Sequence, residues 1–400
     1  MPKRRSIPCL LGVAFLTLLP TRTGRAQGAN CGPFQDVPAT SVYCPFILQA
    51  FFNNITQGTS PTTFDPSDPV SRDQASTFVT RTTDLTLHRG AVRTAIGKTW
   101  APSSTAGGIA TEVGGSVNDV VTDGTFLWAG RVDGKILKIN LADRRLIETW
   151  SLVSGSPKKL GVFAGQVWIA DDQGRLHSFN PTGPAGTASL LFNAAGTGVA
   201  GGSPALAFDG TNVWLATSGA PRIFIYQVSG PGGLTFNPGA NVEGMVFDGT
   251  YMWVLLSNSL LLKLSIPSPG AAIPAVVETL TMPGLVNDCR MLYDGSNIWI
   301  PIGISGTLYV VRPTTNLASL PSSIVKNEPI PDVVFPYVAS FDGENVMIGG
   351  SGNGVVALYK ATNLTRIRTF STAAIGVLGI ASDGRTFNLG DYLGTKWVQY

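Results

Sequence analysis

Six aspartates recur in one setting along the chain: Asp123, Asp209, Asp248, Asp294, Asp342 and Asp383, each followed by glycine and then a short apolar run. Carboxylates repeated at a regular interval could form a calcium ring. Asp-Gly also supplies a side-chain acceptor and a residue tolerant of positive φ, the chemistry of a type I or I′ turn. The turn is the better reading, because no further carboxylates stand close in sequence to these sites. Other chemistry-bearing residues are few. The two histidines, His88 and His177, are far apart and no paired thiols accompany them, so no transition-metal cluster is expected. Cys289 stands alone in a strand-rich region and reads as a small buried apolar residue. No G-x-S-x-G elbow and no phosphate loop occurs. Neither a metal nor a cofactor is implied.

The elements that carry these residues are set by a repeat. A degenerate copy, with Ala164-Gly165 read in place of Asp-Gly, lies between the first two aspartates, and successive copies are then 41, 45, 39, 46, 48 and 41 residues apart. An aromatic slot follows, holding Trp128, Trp168, Trp214, Trp253 and Trp299, then Met347 and Phe387. Apolar residues alternate over short runs inside each copy, giving four strands joined by turns. A unit of 40–50 residues with four antiparallel strands predicts a blade of a seven-bladed β-propeller over residues 108–400, with tryptophan filling the contacts between blades. The seventh copy stops at Tyr400 after three strands, and a spare strand-like segment, IATEVGG at 109–115, precedes the first. That segment is expected to complete the last blade and close the ring.

Composition agrees with a mainly β chain. Only 13% of residues are charged, while 47 glycines and 27 prolines supply turns. Residues 1–26 read as a secretory signal peptide, with Lys3, Arg4 and Arg5 ahead of an apolar run and cleavage expected after Ala26. Without that leader the formal net charge falls from +3 to −2. No basic patch argues for nucleic acid, and no segment of the mature chain is long and apolar enough to span a bilayer. In an exported chain Cys31 and Cys44 are expected to form a disulfide. Secretion to the extracellular space or cell surface is the localisation these features predict.

Residues 27–87 differ from the repeats, and 88–107 read as a linker. The stretch 41–54 predicts a helix with Val42, Phe46, Leu48 and Phe51 among its apolar residues. Ser71 and Gln74 form a capping-box pattern opening a second helix that would bury Ala75, Phe78 and Val79. The succession F-x-D-V-P, Y-x-x-x-I, I-T-x-G, F-x-P and V-S-R-x-Q-A resembles one S-layer homology (SLH) repeat, over about 55 residues. The resemblance implies a helix-loop-helix unit that docks exported proteins onto cell-wall polysaccharide. It maps Ser71, Arg72, Asp73 and Gln74 onto the family's sugar-binding loop, with Arg72 facing an anionic sugar. The family usually carries three repeats and a glutamate where Gln74 stands.

By analogy with other propellers, ligand-contacting residues are sought just ahead of each inner strand: Asn118, Asp119, Lys158, Lys159, Ser203, Asn241, Glu243, Asn287, Asp288, Arg290 and Tyr337. They mix both charges, which suits a small polar ligand or a protein, and equally suits solvated loops. The repeat region is similar to streptogramin-lyase-like and NHL-like exported propellers. The lyases rely on histidine and a divalent metal at the channel mouth. His177 falls in the third strand of blade 2, so their catalytic residues do not carry over. The expected function is an exported envelope protein with a non-catalytic binding propeller; the alternative is an exported lyase or hydrolase acting at the channel mouth.

Overall fold

The computed structural model describes residues 30–52, 55–72, 74–79, 82, 108–193, 204–217, 219–228, 233–267, 273–287, 289–313 and 323–400. The leader, the linker 88–107, Asp73, Ser203 and Asp288 lie outside the described residues. The chain forms two compact units, Met1–Leu85 and Thr86–Tyr400.

Seven four-stranded antiparallel sheets make up the second unit. Their inner strands are Val117–Thr122, Pro157–Phe163, Pro204–Phe208, Val242–Phe247, Leu292–Tyr293, Pro336–Phe341 and Val377–Ser382, which define blades 1 to 7. Each inner strand touches the next, and the seventh touches the first, so the ring is closed. Closure comes from Ile109–Glu112, which pairs antiparallel with Lys396–Gln399 as the outermost strand of blade 7. This is the arrangement that the three-stranded seventh copy predicts, and it leaves no open inter-blade face.

The repeated aspartate has two functions within its blade. In all six copies one carboxylate oxygen accepts the backbone N–H groups two and three residues on, at 2.6–2.9 Å. The following glycines have φ between +78° and +98°. Open space surrounds the added Cβ at Gly124, Gly210, Gly249 and Gly295, so glycine is needed there for conformation rather than room. In blades 1, 3, 4 and 5 the second oxygen accepts the indole N–H of the tryptophan five residues on: Trp128, Trp214, Trp253 and Trp299, at 2.7–3.2 Å. Those indoles are fully buried between their own blade and the next. A buried indole N–H requires such an acceptor.

Two blades solve the problem differently, and both correct the repeat alignment. The strand register pairs Gly161 with Trp168 as it pairs Val121 with Trp128. Phe163, not Ala164, therefore occupies the aspartate slot. Its backbone carbonyl accepts the Trp168 indole at 3.0 Å, and Ala164 takes the positive-φ position at 49°. In blade 7 the aromatic slot holds Asn388, paired with Ala381, rather than Phe387, whose side chain packs toward blade 6. The indole at the blade 7–1 contact comes instead from Trp397 on the neighbouring strand, donating to Asn388 Oδ1 at 3.3 Å.

The first unit is small. Asn30–Cys31 pairs with Phe34–Pro38, and one helix spans Cys44–Phe52, starting three residues later than the sequence suggests. Ser41 accepts the N–H groups of Tyr43 and Cys44 and holds the entrance to that helix. Cys31 and Cys44 are joined by a disulfide, with Cα atoms 5.6 Å apart. Phe34 anchors the core against Phe51 and Phe64. Asp36 accepts the N–H groups of Phe64 and Asp65, tying the loop to the ribbon. At Gly58 a Cβ would lie 2.5 Å from the Thr63 carbonyl oxygen and 2.6 Å from the Phe34 ring. The motif residues are thus core and turn residues. The second helical segment buries less than its pattern implies: Phe78 is half-buried, but Ala75 and Val79 are exposed, as are Val42 and Phe46.

Replacing Asp209 by Ala removes the acceptor of two backbone N–H groups and the buried Trp214 indole, and is expected to cost about 3 kcal/mol in urea unfolding. Burial raises the Asp209 pKa, but hydrogen bonds from Asn212, Trp214 and the turn backbone outweigh it and hold the carboxyl below its ordinary value. Because the folded pKa lies below the unfolded one, the stabilisation is present above the unfolded value and is lost as pH falls through the folded value. The stability difference between wild type and Asp209→Asn should therefore shrink below about pH 4.

Candidate functional site

All inner strands run away from the same end of the ring, so their first residues crowd one channel mouth. In five blades the strand opens with a bulge, placing Asn118, Lys158, Glu243, Tyr337 and Leu378 outside the regular pairing. Such bulges re-aim side chains at sheet edges. The next residue in each blade, four ahead of the turn-aspartate slot, is Asp119, Lys159, Ala205, Gly244, Arg290, Val338 or Gly379.

Three of these seven are charged, and they reach across the channel. Asp119 of blade 1 forms an ion pair with Arg290 at the start of blade 5. Its carboxylate also accepts the N–H groups of Val120 at 2.9 Å and Leu160 at 2.7 Å, stitching blade 1 to blade 2. Arg290 Nη2 donates to the Leu160 carbonyl at 3.4 Å, while the Arg290 backbone N–H donates to the Tyr337 carbonyl at 2.7 Å. Lys159 of blade 2 donates to the Tyr337 hydroxyl of blade 6 and lies 4.3 Å from the centre of its ring. Small residues make room for this arrangement. A Cβ on Gly379 would lie 2.6 Å from the Val120 nitrogen and 2.8 Å from the Asp119 carboxylate.

Asp119 is 1% exposed, whereas 24% of the Arg290 side chain reaches solvent. Burial pulls the Arg290 guanidinium down to about 10, with Tyr337 opposing that shift. The guanidinium therefore remains charged at neutral pH, and so balances Asp119. Asn118 donates to Ser156 and to the Pro157 carbonyl, and joins the rims of blades 1 and 2.

Of the residues expected at the mouth, the structure brings Asp119, Lys159, Arg290 and Tyr337 together. Lys158 and Glu243 are half-buried bulge residues in blades 2 and 4. Asn241 precedes its strand and accepts the Ser257 N–H through its carbonyl. Asn287 holds the turn of blade 5 by accepting the Ile304 N–H. The shared position of Asp119, Lys159 and Arg290 could have been read from the repeat, but misaligning blade 2 by one residue hid Lys159 from it. His177 lies off the channel, buried in the third strand of blade 2. Its Nε2 is 3.0 Å from Asp171 Oδ2, which also accepts Arg175 Nε at 2.6 Å. Burial raises the Asp171 pKa, yet the bonds from His177, Arg175 and Gln173 hold it below the ordinary range. An apolar cleft of about 230 Å³ lies between the outer parts of blades 2 and 3, lined by Leu176, Phe192, Phe224 and Leu234 among others. In the first unit Ser71 and Gln74 form the reciprocal capping box, with Ser71 N–H donating to Gln74 Oε1 at 3.0 Å and Gln74 N–H to Ser71 Oγ at 3.4 Å. Arg72 is exposed in that first turn. Among the described residues no three of His, Cys, Asp and Glu converge in a metal-binding arrangement, and no helix is long and apolar enough to cross a membrane.

No family model matches the chain. An endoglucanase of Bacillus sp. (strain KSM-635) is 36% identical over 67 residues, which make up 17% of this chain and only 7% of the endoglucanase. Among solved structures, the β-propeller domain of Myceliophteria thermophila Cps50 (Swd1) is similar with a TM-score of 0.54 over 72% of this chain and 97% of that domain. At 11% identity the likeness shows the fold alone. The chain is a β-propeller.

Removing one partner of the Asp119–Arg290 pair strands a buried charge. Asp119→Leu is expected to destabilise the ring by about 3–5 kcal/mol, whereas adding Arg290→Met should recover only the part due to the stranded guanidinium, because the Val120 and Leu160 N–H groups still lack their acceptor. Urea unfolding of the two single variants, the double and the wild type gives the coupling directly.

Proposed function

We propose that this chain is an exported envelope protein whose propeller is a non-catalytic interaction scaffold and whose amino-terminal SLH-like unit attaches to cell-wall polysaccharide. The observation that carries the scaffold reading is the cross-channel tie of Asp119 to Arg290 and of Lys159 to Tyr337. Asp119 is balanced by Arg290, and Lys159 is engaged by the Tyr337 hydroxyl and ring, so these side chains tie the ring together and leave the surrounding loops as the surface available to a partner. Support for attachment comes from the spaced SLH-like motif and from the exposed Arg72 beside an intact capping box. Export rests on the basic-apolar leader ahead of Ala26.

The test is co-sedimentation of the chain with purified cell-wall polysaccharide. Wild type should pellet, and Arg72→Ala should bind roughly tenfold more weakly through loss of a charge-assisted contact. Equal pelleting of the two proteins removes the SLH-derived role of Arg72, and pelleting by neither removes the attachment role as well.

A further inference from the structure

The loops at the mouth face carry several exposed apolar side chains. This face consists of the connections between blades and the second turn of each blade, because both lie where the inner strands begin. Eight large apolar residues are exposed there among the described residues. Six of the eight fall on three consecutive blades, one from each type of loop at blade 5 (Leu285, Ile304) and blade 7 (Ile375, Leu393), and two from the connection into blade 6 (Val334, Phe335). Their exposures run from 39% to 69%. Exposed apolar side chains gathered on neighbouring blades of one face are candidates for an interaction site.

The backbone beneath these side chains is fixed by side-chain hydrogen bonds. Asn287 accepts the Ile304 N–H at 3.0 Å in blade 5, and Asn353 accepts the Val334 N–H at 3.2 Å in blade 6. In blade 7 Asp391, fully buried, accepts the N–H groups of Ile375, Gly376 and Gly394 at 3.0–3.2 Å. In blade 6 the Gly352 and Ser351 N–H groups also donate to the carbonyls of Val334 and Phe335. In each blade, loop and turn are thus tied together. A surface held in this way loses little conformational entropy when it is covered.

Charge indicates what covers it. The segments 282–287, 302–306, 330–336, 350–354, 372–376 and 391–395 contain no lysine or arginine, and Asp332 is exposed among them. Lys396, next after the last segment, lies 3.9 Å from Glu112, and Arg290 is paired with Asp119, so these cations at the arc already have carboxylate partners rather than standing free for an anionic lipid surface. We infer that the apolar arc across blades 5, 6 and 7 docks a protein segment that presents aliphatic or aromatic side chains together with basic residues. This rests on the scaffold reading and names the face and the partner chemistry.

The probe is a fluorescent twelve-residue peptide alternating Leu or Phe with Lys, compared with a Leu/Phe–Glu and a Ser–Lys peptide. Anisotropy titration of the full chain should give an affinity for the first at least about tenfold above either control. The variant Leu285→Ser, Phe335→Ser, Ile375→Ser should lose about tenfold in affinity while keeping the wild-type unfolding temperature, since all three side chains are exposed. Equal binding of the Ser–Lys peptide shows attraction by charge alone and overturns the proposal, as does undiminished binding by the triple variant. The second result leaves the propeller a scaffold but removes this face. Flotation with phosphatidylcholine/phosphatidylglycerol vesicles that the triple variant abolishes assigns the arc to lipid instead. A concentration-dependent dimer in sedimentation, lost in the variant, assigns it to a second copy of the chain; either outcome overturns the protein-segment proposal.

Discussion

An indole N–H donated to the carboxylate five residues upstream is the bond on which the propeller depends. Blades must bury large side chains against each other to form a ring, and tryptophan supplies the most area at a four-stranded sheet. It brings one polar hydrogen into that interior. Placing the acceptor on the turn before the same strand satisfies the indole within its own blade. Each blade is then a self-sufficient unit whose remaining task is apolar packing, and repetition of the unit does the rest.

Three blades depart from this pattern: blade 6 places Met347 in the slot, where no indole needs an acceptor, and the other two show what is essential. Blade 2 keeps the geometry with the Phe163 carbonyl and tolerates a positive φ at Ala164, and blade 7 imports an indole from another strand. The position of an acceptor is preserved while its chemical identity is not. Reading by residue type therefore slips by one position in both blades, whereas strand register recovers them.

Much of the architecture was legible in the chain because a period of about 40 residues and an alternation of two can be seen without any contact being known. The closing strand was legible for the same reason, as a missing fourth strand at one end and a spare at the other. The mouth was legible only as a roll of polar residues. That Asp119 meets Arg290 and Lys159 meets Tyr337 depends on which blades face each other across a channel, and on glycines such as Gly379 that let the strands come close. Nothing local in the sequence encodes those distances. In the first unit the core residues Phe34 and Phe51 were where the motif placed them, whereas Ala75 and Val79 of the second helical segment are exposed.

The pairing of Ile109–Glu112 with Lys396–Gln399 has a consequence for biosynthesis. The strand is made before any blade, and its partner is made after all the others. On the ribosome it must stay unpaired while nearly three hundred residues emerge, so the blades form in sequence but the circle locks only at the final step. A truncation anywhere in the last blade would therefore injure both ends of the array at once.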